Sequence, residues 1–317
     1  MISPDGSAVL VTGALGFIGR HVSKHFRSRG RRVIGIGHGE VDAEAALTRW
    51  HSGDVSSDAL TAFAEPIDLI VHCAGSGLVG DSFRDPDAEF RKSVGAAVEV
   101  LDFARRQAAR PRIVVLSSAA VYGVVAHLPI PEDTPLNPIS PYGKSKLAIE
   151  QRCRQAGQEE GLEIAIVRLF SVYGPGLRKQ LFWDACRKFS QQDGRFGGSG
   201  NERRDWLHVG DAVRLVDAIA GQASAAVPIV NGGSGTSIRV RDALAQLREL
   251  WSASAPELTF SGEARQGDPP GYEANIVRAR AMDWAPWQDF ATGLAEYVAW
   301  ARGALAHDFG SRPGLMT

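Results

Sequence analysis

Short apolar runs recur along the first half of the chain, separated by stretches with helical spacing. Ala8–Thr12 reads A-V-L-V-T, a buried parallel strand, because a strand covered on both faces needs no polar alternation. Phe17, Ile18, Val22 and Phe26 then mark the apolar side of a helix that ends near Arg29-Gly30. Further strands are predicted at Arg32–Ile36, Trp50–Gly53, Ile67–Cys73, Ile113–Leu116 and Ile164–Phe170. A long helix is predicted over Asp87–Arg110, a proline-rich loop over Pro129–Pro138, and a helix after it. From about Leu177 the alternation breaks into short, glycine-rich segments such as R-F-G-G-S-G-N-E-R-R-D-W. Helices are expected there at Asp211–Ala220, Val240–Trp251 and Phe290–Ala301. Strands alternating with helices define an α/β fold with a parallel sheet.

The first strand runs into G-A-L-G-F-I-G, with glycines at 13, 16 and 19. Strand, glycine loop, helix, strand is the context in which such a loop binds a dinucleotide. Gly13, Gly16 and Gly19 let the backbone approach a pyrophosphate, which sits at the start of the helix carrying Phe17 and Ile18. The spacing is G-x-x-G-x-x-G rather than G-x-G-x-x-G. The architecture implied is a Rossmann-type doubly wound parallel sheet over residues 1–176, with returns of chain around 204–233, such as P-I-V-N-G-G. A smaller C-terminal substrate-binding lobe takes most of 177–317, leaving a cleft for a small molecule.

An NAD site normally has Asp or Glu after the second strand, to accept from the adenosine ribose. Here the segment is Gly37-His38-Gly39-Glu40. Three readings stand: His38 against a 2′-phosphate, Glu40 or Asp42 folded back to the ribose, or a plain turn. NAD and NADP therefore both remain open. Asp54, with Val55, either meets the adenine amine or caps a helix. Cys73, Ala74 and Gly75 close the fourth strand with small residues that suit close passage of a cofactor. Ser118 ends the fifth strand at the same carboxyl edge, where ligands bind.

The segment S-P-Y-G-K-S-K from Ser140 carries the candidate chemistry. Pro141 is tolerated in a first helical turn. Tyr142 and Lys146 then lie one turn apart on one face. A phenol is a poor base at neutral pH, but a neighbouring cation stabilises the phenolate. Such a pair can move a proton on or off a sugar hydroxyl.

Composition narrows the partners. The chain has 317 residues, net charge -1 and 44 % hydrophobic residues, enough for a large α/β unit with a smaller lobe. Near-neutral charge gives no reason to expect nucleic acid or a membrane surface as partner. Cys73, Cys153 and Cys186 form no C-x-x-C pair, so neither a metal site nor a disulfide framework is expected. A reducing cytoplasm fits, and no signal peptide or membrane-spanning run is evident.

These motifs together resemble the extended short-chain dehydrogenase/reductases, in particular the nucleotide-sugar epimerase/dehydratase group around UDP-glucose 4-epimerase. The likeness runs from about Val9 to Trp300. It rests on the glycine loop, S-S-A-A-V-Y-G from Ser117, P-Y-G-K-S-K-L from Pro141, R-D-W-L-H-V-G-D from Arg204 and R-Q-G-D from Arg265. The resemblance implies a catalytic trio of Ser118, Tyr142 and Lys146, with Lys146 also on the nicotinamide ribose. Phe170 falls with the cofactor residues. Arg204 and Arg265 would clamp a diphosphate, for which the planar guanidinium suits. Asp268 would reach the nucleoside ribose and Tyr272 would tune which sugar substituents fit. Ser171 stands where the family has Asn in its sixth-strand motif, and Ser93 where it has Asn on a helix. The family's dehydratases carry Asp-Glu where this chain has Ala119-Ala120, which argues against 4,6-dehydration.

The expected activity is a nucleotide-sugar 4-epimerase acting through a bound NAD, on a UDP-, dTDP- or GDP-linked hexose. The alternative is an NADPH-dependent reductase of a 4-keto-6-deoxy nucleotide sugar. A non-catalytic dinucleotide-binding protein is a third reading. A homodimer through the helices near Asp87–Arg110 and Pro141–Glu160 is an expectation of the family alone.

Overall fold

The computed structural model describes residues 7–310 except 43, 64, 76, 78, 264–266 and 268. The first half runs β1 (Ala8–Thr12), α1 (Phe17–Ser28), β2 (Arg32–Gly37), β3 (Arg49–Ser52), α2 (Ser57–Thr61), β4 (Ile67–His72), α3 (Pro86–Arg106), β5 (Arg112–Ser118), α4 (Pro141–Glu160) and β6 (Ile164–Leu169). The second half runs β7 (Ser171–Tyr173), α5 (Gln180–Ser190), β8 (Arg195–Phe196), β9 (Arg203–His208), α6 (Val209–Ala220), β10 (Ile229–Gly232), β11 (Ser237–Arg239), α7 (Val240–Trp251), β12 (Thr259–Phe260), α8 (Val277–Arg280) and α9 (Phe290–Gly310).

Seven parallel strands form one sheet in the order β10-β6-β5-β4-β1-β2-β3. The chain winds outward through β2 and β3, then restarts at β4 on the other side of β1. The carboxyl edge between β1 and β4 is therefore the topological switch point, where such sheets bind ligands. Alternate residues feed two cores, because side chains along a strand point to opposite faces. Val9, Val11, Val71 and Val114 pack with Val22 and Phe26 of α1 and Leu215 of α6. Leu10, Ile34, Ile70 and Ile113 pack with Val100 of α3 and Ile149 of α4.

The smaller lobe holds a three-stranded sheet, β11-β9-β7, and a β12-β8 pair. Its core joins Phe182, Trp206, Leu244, Leu247 and Tyr297. Three expectations need correction. The long helix stops at Arg106, not Arg110, because Gln107 turns extended so that the chain can reverse into β5. The last helix continues past Ala301, since Ala304 and Leu305 go on burying against the lobe core. Residues 180–190, read as part of an irregular stretch, form α5, with Phe182, Ala185, Cys186 and Phe189 buried on one side. Among the described residues no helix is long and apolar enough to cross a membrane.

Candidate active site

The start of α4 is fixed from three directions. Ser140 caps it, its Oγ accepting from Gly143 N at 3.1 Å, with Pro141 in the first turn, where the missing N–H costs nothing. The Tyr142 N–H donates to Ser82 Oγ at 3.1 Å, and that hydroxyl donates to Val79 O at 2.6 Å. One turn on, the buried Lys146 ammonium donates to Leu116 O at 2.9 Å and lies 5.7 Å from the centre of the Tyr142 ring. A carbonyl near the end of β5 thus holds the cation beside the phenol. Ser118, at the end of β5, accepts from Ala120 N at 3.2 Å and opens the turn Ala119–Val121.

Beneath this surface lies a buried polar network. Glu150, two turns after Tyr142, accepts from Ser117 Oγ at 2.6 Å and from Arg168 Nε and Nη2 at 2.9 and 2.7 Å. Arg168 Nη1 donates to Tyr122 Oη at 3.0 Å and Glu132 O at 2.8 Å. Tyr122 in turn donates to Asn231 Oδ1 at 2.7 Å. The network ties α4 to β5, β6 and β10, and every one of these groups finds a partner, as buried charge requires.

Ser118, Tyr142 and Lys146 open into a cavity of about 660 Å³. The same cavity is lined by Gly13, Gly16, Phe17, Ile18, Gly19, Cys73, Gly75 and Phe170 from the cofactor set, and by Ser171, Arg204 and Tyr272 from the substrate set. Gly13 adopts φ +65°, and a Cβ there would lie 2.9 Å from Ala74 N. A Cβ on Gly19 would lie 2.2 Å from Gly13 O. The loop is therefore wound too tightly for side chains and presents bare backbone to the cavity, which fits a dinucleotide pyrophosphate. Ala74 lies against Gly13, its N–H donating to Thr12 Oγ1 at 3.2 Å.

His38 and Asp54 pair with each other at 2.9 Å on the exposed edge beyond β2 and β3, outside the cavity lining. Val55 packs against the sheet's second core. Asp42 accepts from Arg20 Nη1 at 2.9 and 2.7 Å. Arg265 and Asp268 lie outside the described residues. Tyr272 donates to Gly123 O at 2.8 Å, and its ring meets Phe170 edge-on at 6.0 Å. Ser93 donates to Glu89 Oε1 at 2.8 Å.

Burial and hydrogen bonds set the charge of several groups in and behind the cavity wall. Burial pushes the Cys73 thiol up to about 12, with Lys146 pulling the other way, so this cysteine is a neutral wall rather than a nucleophile. Burial, then the Lys146 charge, push the His72 imidazole down to about 3. His72 Nδ1 pairs with Thr12 Oγ1 at 2.9 Å. Burial works to raise the Glu202 carboxyl, but hydrogen bonds from the Ser199 backbone and hydroxyl outweigh it and hold it low. Sequence reasoning passed over Lys179, Glu202, Glu150 and Arg168. For Arg168 a signal existed, one charge inside the apolar run I-A-I-V-R-L.

A family model for the NAD dependent epimerase/dehydratase family matches residues 9–233, and the chain belongs to that family. A UDP-glucose 4-epimerase from Azospirillum brasilense is 30 % identical, covering 93 % of this chain and 92 % of the relative. A dTDP-glucose 4,6-dehydratase from Streptomyces griseus is 29 % identical, covering 92 % of this chain and 93 % of the relative. MoeE5, solved in complex with UDP-glucose and NAD, superposes with a TM-score of 0.84 at 28 % identity, over 94 % of this chain and 100 % of that one. Identity alone does not separate epimerase from dehydratase.

Proposed function

We propose that this chain is a 4-epimerase of a UDP-linked hexose with a resident NAD. The observation that carries the reading is the Tyr142–Lys146 pair opening into the cavity that also holds the glycine loop, with Ala119 and Ala120 directly after Ser118. Dehydration needs an acid to expel water from the sugar, and two methyl side chains offer none. The glycine loop, Cys73 and Gly75 would hold the dinucleotide.

When bound, the nicotinamide supplies reversible hydride transfer at C4. Everything else falls to the chain. Tyr142 takes the proton of the sugar 4-hydroxyl and later returns it. Lys146, anchored on Leu116 O, steadies the charge on the phenol oxygen during both transfers. Ser118 shares the hydrogen bond to the 4-oxygen. Arg204 holds the diphosphate while the keto sugar turns to present its other face. The small side chains of Ala119, Ala120 and Ser171 leave the sugar room for that turn. Three cysteines in no disulfide suit a reducing cytoplasm.

One observation favours a second reading, a reductase using NADPH: no acid sits on Gly37-His38-Gly39 to reject a 2′-phosphate. The test is incubation with UDP-glucose and no added cofactor, followed by proton NMR. Appearance of the C4 epimer with no net change in nicotinamide absorbance is the expected result. A 4-keto-6-deoxy product, or steady consumption of NADPH on such a keto sugar without epimerisation, would overturn it.

A further inference from the structure

Residues 174–181 join β7 to the start of α5 and touch the main domain on the way. At one end His21 Nε2 of α1 pairs with Pro175 O at 2.8 Å, beside the glycine loop. At the other, Gln180 Nε2 donates to Gly77 O at 3.3 Å, in the segment after β4. The segment is thus pinned to both walls of the groove between β1 and β4, and Leu177, Lys179, Gln180 and Leu181 face the cavity. Gln180 holds φ +67° to do so, a left-handed conformation that costs a non-glycine residue about 1–2 kcal/mol. Strain of this kind persists where the surroundings impose it.

Lys179 is the residue this arrangement leaves unexplained. Its side chain is half-buried, yet among the described residues the ammonium makes no hydrogen bond and no ion pair. Burial lowers its pKa, and Asp81 offsets this only from a distance. The ammonium lies tight against Gly77, where a Cβ would be 2.4 Å from Nζ. Gly77 has no left-handed φ to account for glycine; the space is filled by the lysine. Among the described residues the other cations nearby are tied to protein groups or, like Arg204, already assigned to the substrate diphosphate. Lys146 holds Leu116 O, Arg204 Nη1 holds Arg203 O, and Arg20 holds Asp42 and Leu15 O. The glycine loop itself, G-A-L-G-F-I-G, brings no charged side chain. A doubly charged pyrophosphate seated there would meet backbone N–H groups of the loop, and among the described residues Lys179 is a cation lining the same cavity that holds no protein partner.

We propose that Lys179 is a ligand of the dinucleotide pyrophosphate, and that residues 174–181 form a strap that retains the coenzyme between turnovers. The proposal rests on the dinucleotide reading above and extends it to a residue on the opposite lobe. Retention suits a reaction that returns its hydride, since the coenzyme leaves each cycle in the form in which it entered.

The test compares wild type with Lys179→Gln, Lys179→Arg and Gly77→Ala. The readouts are NAD content after exhaustive dialysis, Kd for NAD by calorimetry on stripped protein, and KM for UDP-glucose. Lys179→Gln is expected to lose its NAD on dialysis, with Kd raised about 10-fold or more, the usual worth of a charge-assisted hydrogen bond. Lys179→Arg should restore retention. Gly77→Ala, which only displaces the ammonium, should raise Kd by less and in the same direction. Wild-type retention and Kd in Lys179→Gln overturn the proposal, including the case where only KM for UDP-glucose rises, which would assign the lysine to the substrate diphosphate. A wild-type chain that binds no dinucleotide overturns the functional reading and the strap with it.

Discussion

Replacing Glu150 with leucine should cost the fold more than a typical point substitution. Both carboxylate oxygens are in use, accepting from Ser117 Oγ and from two nitrogens of Arg168. Leucine fills much of the volume but leaves two guanidinium donors and a full charge in a core where both partners are 1 % exposed. Arg168 cannot swing to water, because Nη1 stays tied to Tyr122 Oη and Glu132 O. Breaking a buried pair from one side costs about 3–5 kcal/mol, a large share of the ~5–15 kcal/mol that holds a protein folded. Glu150→Gln keeps the shape and one acceptor but still leaves the Arg168 charge without its buried partner, so its cost should sit at the low end for a broken pair, about 3 kcal/mol. Equilibrium urea unfolding reads both, as a lower midpoint with unchanged slope. Turnover should fall as well, because Glu150 is one turn from Lys146 on the helix that positions Tyr142. A loss below about 1 kcal/mol for Glu150→Leu would refute the claim that this network pins α4.

Two further outcomes follow from the same geometry. Burial lowers the His72 pKa from 6.5 in the unfolded chain to about 3 in the folded chain, so the unfolded state binds more protons between those values. Stability should therefore fall as pH drops below ~6.5, by up to ~1.4 kcal/mol per pH unit from this group; urea midpoints of wild type and His72→Asn should converge over that range, and a pH-independent difference would count against it. Gly19→Ala places a methyl 2.2 Å from Gly13 O and 2.9 Å from Ala14 Cα; both are backbone, so the loop must open. Calorimetry should show dinucleotide binding weakened at least tenfold, and an unchanged Kd would refute the tight-turn argument.

Most of the main sheet was legible because β1, β2, β4 and β5 are largely buried on both faces and read as mainly apolar runs, while the part-exposed β3, R-W-H-S, and β6 with Arg168 depart from that pattern. The same logic placed Ser118 and the glycine loop on one crevice, and the i, i+4 spacing placed Lys146 by Tyr142. The smaller lobe was harder. Its strands are two to six residues long, too short for a periodic signal, and the glycines around 194–200 masked the regular spacing of α5. Arg168 and Glu150 were invisible as a pair because their contact spans two elements, and a charge in an apolar strand names no partner. Lys179 carries no motif at all. Its role depends on how the second lobe folds back over the first, which is a property of packing rather than of local sequence.

The central claim is that the Tyr142 phenol moves the proton at the sugar's 4-position. The most direct measurement is turnover of UDP-glucose by Tyr142→Phe, alongside its content of bound dinucleotide. Phenylalanine keeps the ring, the N–H to Ser82 Oγ and the Lys146 contact with Leu116 O, so the site should still assemble. The account predicts turnover lower by about 10²–10⁴-fold with dinucleotide content as in wild type. Epimerisation at the wild-type rate by that variant would contradict it.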